Sequence, residues 1–554
     1  MPFSPSLRAL ACSASLLMLQ ACGGGGGGGD TTTGTAPVAP PPSQTTQPQA
    51  DPMATVAVND PGSTLPAHWQ TGVFAQIFVR SYQDSDGDGQ GDLKGLQSRL
   101  PYLKSLGVSG LWLMPVTNSQ DHDHGYAVTD YRGIERDYGS LADFDALVAE
   151  AHRLGIGIVM DYVMNHSAAD HPLFQSSKAS RTSPYRDWYV WKDTLPGGWN
   201  IYGRNPWYTL ATTTGAYFAG FWDQMPDWNL RTSAVVAYHH DSLRFWLNRG
   251  VDGFRFDATA NLVENGPQAW EAQPENLPLM RDVRTVLDAY RQRFMVCEAP
   301  PAVDANNAAC GSAFAFGHQQ QVIAAARGEA WAVQASASYF PTGQASTKST
   351  LLSNHDTFAG PRPWDQLAGN VAQYKLAAAT YLLQPGTPFI YYGEEIGMSR
   401  GNLDGDVQLR VPMSWTGDTA RAGFTTGTPF RARAANVATN NVAAQENDPN
   451  SLLNHYRAMI SLRHALPSIA RGTYDNPTVN GLVYTFQRTL GDERTVIAIN
   501  YGVTAATATA SGLPATAVLE REFPAGAADA AADAYGNATF TVPAQSVSVF
   551  VVGN

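Results

Sequence analysis

At 554 residues, with 10 % aromatic and only 15 % charged residues, the chain has far more to bury than a disordered protein of its length. That length allows about two to four domains. A formal net charge of -12, with no run of Lys or Arg, excludes a nucleic-acid partner, because phosphate binding needs clustered cations.

The N-terminus reads as processed and tethering sequence. Arg8 precedes a short apolar run, residues 10–19, too short to span a bilayer and fitting the apolar region of a signal peptide. It ends in "LMLQAC", followed by seven glycines. This resembles a bacterial lipoprotein signal, which implies removal of residues 1–21 and lipidation of Cys22; an ordinary secretory signal cleaved nearby is the alternative. The expected location is the bacterial cell envelope, lipid-anchored to the outer membrane on its periplasmic or outer side, or else the secreted fraction. Residues 22–64, rich in Gly, Thr, Pro and Gln, offer almost nothing to bury and are expected to form a flexible tether. With Cys12 in the signal and Cys22 modified, Cys297 and Cys310 remain; in an oxidising compartment they form a disulfide or stay as two buried thiols.

An acidic loop follows, "DSDGDGQGDLKG" at residues 84–95. Asp84, Asp86 and Asp88 alternate and lead to Gly89, as in the calcium loop of a helix-pair sensor. The twelfth position, where a glutamate should close such a site, is Gly95. A metal loop of another kind and a solvated acidic turn both fit these residues.

From about residue 69, short apolar runs alternate with amphipathic helical stretches. "VFAQIFV" (73–79), "GLWLMP" (110–115), "IGIVMDY" (156–162), "GFRFDA" (253–258), "FMVCEA" (294–299), "LLSN" (351–354) and "FIYY" (389–392) read as buried strands. Between them lie helices such as "LADFDALVAEAHRLG", where Leu141, Phe144, Leu147, Val148, Ala151 and Leu154 share a face. Repeated strand–helix units with a hidden eighth strand near residues 312–316 predict an α/β fold, a (β/α)8 or TIM barrel over residues 65–165 and 231–467. An aromatic-rich insert, residues 166–230, interrupts it after the third strand, too long for an ordinary connection. Period-two patterning after residue 467 predicts a C-terminal antiparallel β-sandwich, residues 468–554.

In a parallel barrel the working residues sit at the C-terminal strand ends. Those ends carry Asp161, Asn165 and His166, then Arg255 and Asp257, then Glu298, then His355 and Asp356. Three carboxylates, Asp257, Glu298 and Asp356, would converge with an arginine and two histidines. Gathering acids in one mouth is electrostatically costly, and a paired Asp and Glu is what glycoside hydrolysis needs.

The segments "DYVMNH" (161–166), "GFRFDA" (253–258), "CEAP" (297–300) and "LLSNHD" (351–356) resemble the four signature regions of the α-amylase family, glycoside hydrolase family 13. "HGYAVTDY" (124–131) and "MPDWN" (225–229) agree, the latter resembling a motif of members intermediate between oligo-1,6-glucosidases and neopullulanases. The resemblance implies Asp257 as nucleophile, Glu298 as acid and then base, and Asp356 as a third carboxylate gripping sugar hydroxyls. It further implies that Arg255 aims Asp257, that His166 and His355 bond the sugar, that Tyr126 stacks beneath it, and that Asp161 is a scaffold. Tyr217, Phe218 and Trp222 of the insert are the candidate sugar platforms.

The acidic loop resembles the metal loop of the oligo-1,6-glucosidase-like branch. That implies Ca2+ held by side chains of Asp84, Asp86, Asp88 and Asp92 and the Gln90 carbonyl. Asn165 and Asp227 match two ligands of the family's second calcium site, whereas "TANL" (259–262) replaces a lysine–histidine pair next to it. Ala258 is the residue type associated with α-1,4 preference. The resemblance thus implies retaining endo-hydrolysis of α-1,4-glucosidic bonds in starch and maltodextrin, by a monomer that meets the membrane only through its lipid anchor. The alternatives are an exo-acting α-glucosidase or 4-α-glucanotransferase, a cyclodextrin or pullulan hydrolase, and a glucan-binding protein without turnover.

Overall fold

Seven of the apolar runs pair side by side as parallel strands: β1 (Phe74–Ile77), β2 (Gly110–Leu113), β3 (Gly157–Tyr162), β4 (Gly253–Phe256), β5 (Phe294–Cys297), β6 (Ser349–Leu351) and β7 (Thr387–Tyr391). Their order is β5-β4-β3-β2-β1-β7-β6. This is a computed structural model, and it describes residues 53–210 and 215–553. The expected signal peptide, Cys22 and the first part of the tether lie outside the described residues. Among those described, no helix is long and apolar enough to cross a membrane. The two sheet edges meet through the segment expected to hide a strand: Ala313 bridges Cys297 of β5, and Phe314 bridges Ser349 of β6, both in parallel. The predicted (β/α)8 barrel is therefore closed, with the strand between β5 and β6 reduced to two bridges.

Large rings fill the barrel interior. Phe74 stacks on Phe294 at 4.9 Å and on Phe389 at 4.8 Å, while Trp112 meets Phe314 at 5.2 Å. Glycines on neighbouring strands make the room. A Cβ at Gly110 would lie 2.4 Å from the Phe74 ring, and one at Gly157 2.5 Å from Trp69.

Helices cover the outside. One of them, α1 (Leu93–Leu106), is capped by Asp92. The next, α2 (Leu141–Arg153), starts in a capping box of Ser140 and Asp143, and buries Phe144, Leu147, Val148 and Ala151. Leu141 and Leu154 are half-buried at the edge of that stripe. A fully buried Phe, Leu or Val is worth about 1.5–3 kcal/mol, so the stripe holds the helix on the barrel more than propensity does.

Two expectations change. The strand expected at residues 351–354 is β6, which ends at Leu351, because Asn354 turns the chain by accepting the Asp356 N–H at 2.8 Å. The tether expected to reach residue 64 is held from residue 54. The Ala54 carbonyl accepts from Arg132 (2.8 Å), Val56 N–H donates to Asp241 (3.0 Å), and Asp60 pairs with Arg293 (3.2 Å). Polar bonds anchor a stretch whose composition offers no apolar grip.

The insert forms a helix, Pro172–Ala179, and a small sheet of Trp191–Lys192, Ala216–Phe218 and Trp207–Thr209. It closes on itself and the barrel through the bridges His166–Asp227 and Tyr189–Trp228. The C-terminal part is a six-stranded antiparallel sheet with the two-stranded ladder Ala506–Ala510 and Ala538–Val542 against it.

Candidate active site

The site is built around the end of β4. Asp257 follows the strand directly, and Ala258 turns the chain with φ of 48°, a left-handed conformation uncommon for a residue with a Cβ. The Asp257 carboxyl lies in the wall of a cavity of about 780 Å³ with Glu298, Asp356, Tyr126 and His166. Two residues back, where strand periodicity puts a side chain on the same face, Arg255 is fully buried. Its Nη1 donates to Asp257 Oδ1 and Asp161 Oδ1, both at 2.8 Å, and its Nη2 lies 2.7 Å from Glu298 Oε1. Asp161 also accepts from Trp112 Nε1 at 3.1 Å and from the Tyr126 hydroxyl at 2.9 Å. One buried cation serves three carboxylates.

Burial pushes both Asp257 and Glu298 up to about 7; Arg255 pulls both back, and repulsion from Asp356 pushes both further. Burial likewise raises Asp161 to about 6 against the pull of Arg255. The two arginine contacts differ in kind. Nη1 makes an aligned hydrogen bond to Asp257, whereas Nη2 forms an ion pair with Glu298 Oε1 without hydrogen-bond alignment, and among the described residues that oxygen has no hydrogen-bond donor. An aligned charge-assisted bond favours the anion. Of the proton the pair shares near neutrality, Glu298 is therefore the better holder, and Asp257 the better carrier of charge.

His166 lines the cavity; burial drives its pKa down to about 3, and among the described residues its Nε2 has no hydrogen-bond partner. A neutral imidazole there can meet a hydroxyl. His355, expected to touch the sugar, is instead fully covered. Its Nδ1 meets Gln76 Nε2 at 2.7 Å, and its Nε2 meets the Tyr126 hydroxyl at 2.7 Å and lies 3.1 Å from Asp356 Oδ2. In this arrangement it orients Tyr126 and Asp356 from behind. Arg255 is equally covered and acts through the acids it holds.

The insert also differs from expectation. Tyr217 and Phe218 are buried in its own sheet, and Trp222 lies outside the cavity, which is lined instead by Tyr202 and Phe221. In a strand this short both faces are covered, so alternation carries no signal. Arg410 was not foreseen: it donates to Asp356 Oδ1 at 2.8 Å and to the His355 carbonyl at 3.0 Å, with Asp406 3.5 Å away. His124, Glu271 and Phe358 complete much of the wall. Nothing in "DVQLRVP" marks Arg410, because its partners come from another strand end.

Asp84, Asp86 and Asp88 each offer an oxygen within 4.8 Å of the others. Partial burial, and then repulsion from Asp86 and Asp84, push the Asp88 carboxyl up. Such an all-oxygen set fits a hard divalent cation. The loop is clasped by a distant segment: Asp84 N–H donates to the Phe424 carbonyl at 3.0 Å, and Phe430 N–H to the Gly89 carbonyl at 2.9 Å. Gly89 has φ of 93°, and a Cβ there would strike the Thr428 carbonyl at 2.0 Å. Asp92 has other duties. Its oxygens accept from Ser85 N–H, Ser85 Oγ and Gly95 N–H, so it caps α1. At the other expected site, Asn165 Nδ2 donates to Asp227 Oδ2 at 3.0 Å, and burial holds the Asp227 carboxyl far above its usual range. These two residues are brought together as a hydrogen-bonded pair that ties the insert to β3.

Cys297 and Cys310 form a disulfide, with Cα atoms 6.2 Å apart. It joins the last residue of β5, next to Glu298, to the end of the helix Val303–Cys310.

Comparison with known proteins agrees with this geometry. The family model described as the α-amylase catalytic domain matches residues 76–472. "Alpha-amylase 3" of Dictyoglomus thermophilum is 33 % identical over 450 residues, covering 78 % of this chain and 85 % of the relative. The oligo-1,6-glucosidase of Parageobacillus thermoglucosidasius is 30 % identical over 521 residues, covering 78 % and 90 %. Among solved structures, the trehalulose synthase MutB from Pseudomonas mesoacidophila MX-45 superposes with a TM-score of 0.75 at 27 % identity, over 88 % of this chain and 100 % of that one. With the barrel, the carboxylates at its mouth and these matches, the chain belongs to the α-amylase family and is a glycoside hydrolase.

Proposed function

We propose that the protein is a retaining endo-hydrolase of α-1,4-glucans such as starch and maltodextrin. The retaining mechanism rests on the unequal sharing of Arg255 between Asp257 and Glu298, and the α-1,4 endo preference on Ala258 behind the nucleophile and the likeness to "Alpha-amylase 3". Arg255 holds Asp257 Oδ1, leaving Oδ2 to attack the anomeric carbon while Glu298 gives its proton to the departing glycosidic oxygen. The result is a glycosyl ester on Asp257 and a Glu298 carboxylate. Glu298 then takes a proton from water, the water oxygen attacks the same carbon, and the ester bond breaks; two inversions retain the configuration. Asp356, aligned by Arg410 and His355, would hold sugar hydroxyls. Glu298→Gln is expected to lower kcat by about 10²–10⁴-fold with glucan binding retained; unchanged turnover would remove Glu298 from this role.

A second reading, an exo-acting α-glucosidase or glucanotransferase, is favoured by one feature. The Arg410–Asp356 pair with Asp406 walls one part of the cavity with charged side chains, as a pocket for a chain end would require. Maltooligosaccharides blocked at the non-reducing end decide between them: cleavage without prior trimming supports endo attack, and resistance supports the exo reading.

Ca2+ is proposed for the loop, with the side chains of Asp84, Asp86, Asp88 and Asp92 and the Gln90 carbonyl as protein ligands; its role is charge neutralisation in a structural loop. Lipidation at Cys22 would hold the enzyme on the cell envelope, and Cys22→Ala should release it to the soluble fraction.

A further inference from the structure

Away from the cavity, the helix Ala330–Ser338 keeps one face in solvent. Trp331, Gln334 and Ser338, spaced by three and four, are exposed, while Ala332, Val333, Ser336 and Ala337 are buried. At 60 % exposure, Trp331 is the most exposed of the 13 tryptophans. So large an apolar ring is normally covered, and its exposure costs solvation free energy.

The ring is nevertheless held. Its Nε1 donates to Glu329 Oε2 at 2.9 Å, and Arg327 Nε holds the other Glu329 oxygen at 2.8 Å. The indole plane is set before any ligand arrives, which lowers the ordering cost of binding. One turn along, Gln334 and Ser338 line a hollow of about 330 Å³ between this helix and the strand Thr473–Asn480, with Phe340, Thr342, Pro477 and Val479 in its other walls. Gln334 Nε2 donates to Ser338 Oγ at 3.2 Å. Among the described residues no charged side chain lines the hollow, and none of those named here lines the catalytic cavity.

A fixed ring face beside neutral amide and hydroxyl groups suits an uncharged, polyhydroxylated chain. Sugar C–H faces pack on the indole, and hydroxyls bond the amide and hydroxyls. Beside the ring the Glu329 carboxylate is paired with Arg327, so this face carries no net positive charge to draw an anionic lipid surface, and no cation lines the hollow among the described residues.

We propose that Trp331, Gln334 and Ser338 form a second α-glucan-binding site outside the cleft, which holds the polymer against the enzyme while the cleft works on another stretch of chain. The ligand class rests on the glucan reading of the cleft; the site rests on this surface. Migration through native gels containing amylose tests it, in the Glu298→Gln protein so that nothing is hydrolysed. Adding Trp331→Ala should weaken retention about fivefold, the scale of one aromatic contact, whereas Trp331→Tyr should keep most of it. With Glu298 intact, Trp331→Ala should leave maltotriose cleavage and the melting temperature unchanged. Equal retention of the Trp331→Ala protein and its parent overturns the site, as does Trp331-dependent capture by anionic phospholipid vesicles in place of amylose. If the protein with Glu298 intact cleaves maltotriose, that failure belongs to the surface site alone; if it cleaves no α-glucan, the glucan reading is overturned, and this proposal with it.

Discussion

Arg255 decides what the neighbouring acids can do, because among the described residues it is the one cation touching Asp161, Asp257 and Glu298. With Glu298 raised to about 7 by burial, kcat/KM should decline as pH rises through about 7, where the acid loses the proton it must donate. Arg255→Lys should lower kcat by more than about tenfold, since an ammonium cannot reproduce two separated donors on a planar fork. It should also move the acidic limb of the pH–rate profile upward, as Asp257 loses its aligned partner and ionises less readily. A profile that keeps its shape would mean the arginine only packs. Much of this was legible, since Arg255 and Asp257 share a strand face and their signature is contiguous. His355 was harder: its signature marks proximity to the site but not whether it stands in front of Asp356 or behind it. Arg410 was invisible, because a lone arginine in an irregular segment has meaning only once the fold brings Asp356 to it.

Among the elements, strands with four or more buried residues were found within a few positions, whereas the unlabelled barrel strand between β5 and β6 pairs only at Ala313 and Phe314. Two residues cannot show a period. Breaking the disulfide with Cys310→Ala should destabilise the fold by about 3 kcal/mol, from the loop closed between positions 297 and 310, read as a lower denaturation midpoint. The short helix after β7, Glu394–Ile396, supplies a different test. Glu394 Oε1 accepts from the hydroxyls of Tyr381 at 2.6 Å and Tyr456 at 2.8 Å, while Oε2 is buried without a hydrogen-bond partner among the described residues. Burial raises this carboxyl from its ordinary 4.5 to about 7. The folded state therefore binds its proton more tightly than the unfolded chain does. Stability from this group is full below pH 4.5 and lost as pH climbs through 7. Glu394→Gln should flatten the fall in melting temperature between those values, and an unchanged pH dependence would show that the carboxyl does not titrate there.

At the scale of the whole molecule, chelation should lower the melting temperature, and Asp86→Ala should remove that sensitivity; a protein indifferent to chelators and to added Ca2+ would leave the loop a solvated turn. The barrel and its interruption were legible from alternating patterns. The docking of residues 54–60 was not, since it depends on side chains of Arg132, Asp241 and Arg293 far along the chain. The acidic loop has a further consequence, set by where its clasp comes from. The strand before it, β1, pairs with β7, Phe74 beside Phe389, and the clasp itself arrives with Phe424 to Phe430. A ribosome delivers the loop early and its partners late, so most of the catalytic barrel must emerge before its seam can be joined. Contacts of such separation fold slowly. A cation bound there would act at the end of folding, as the fastener of the last seam.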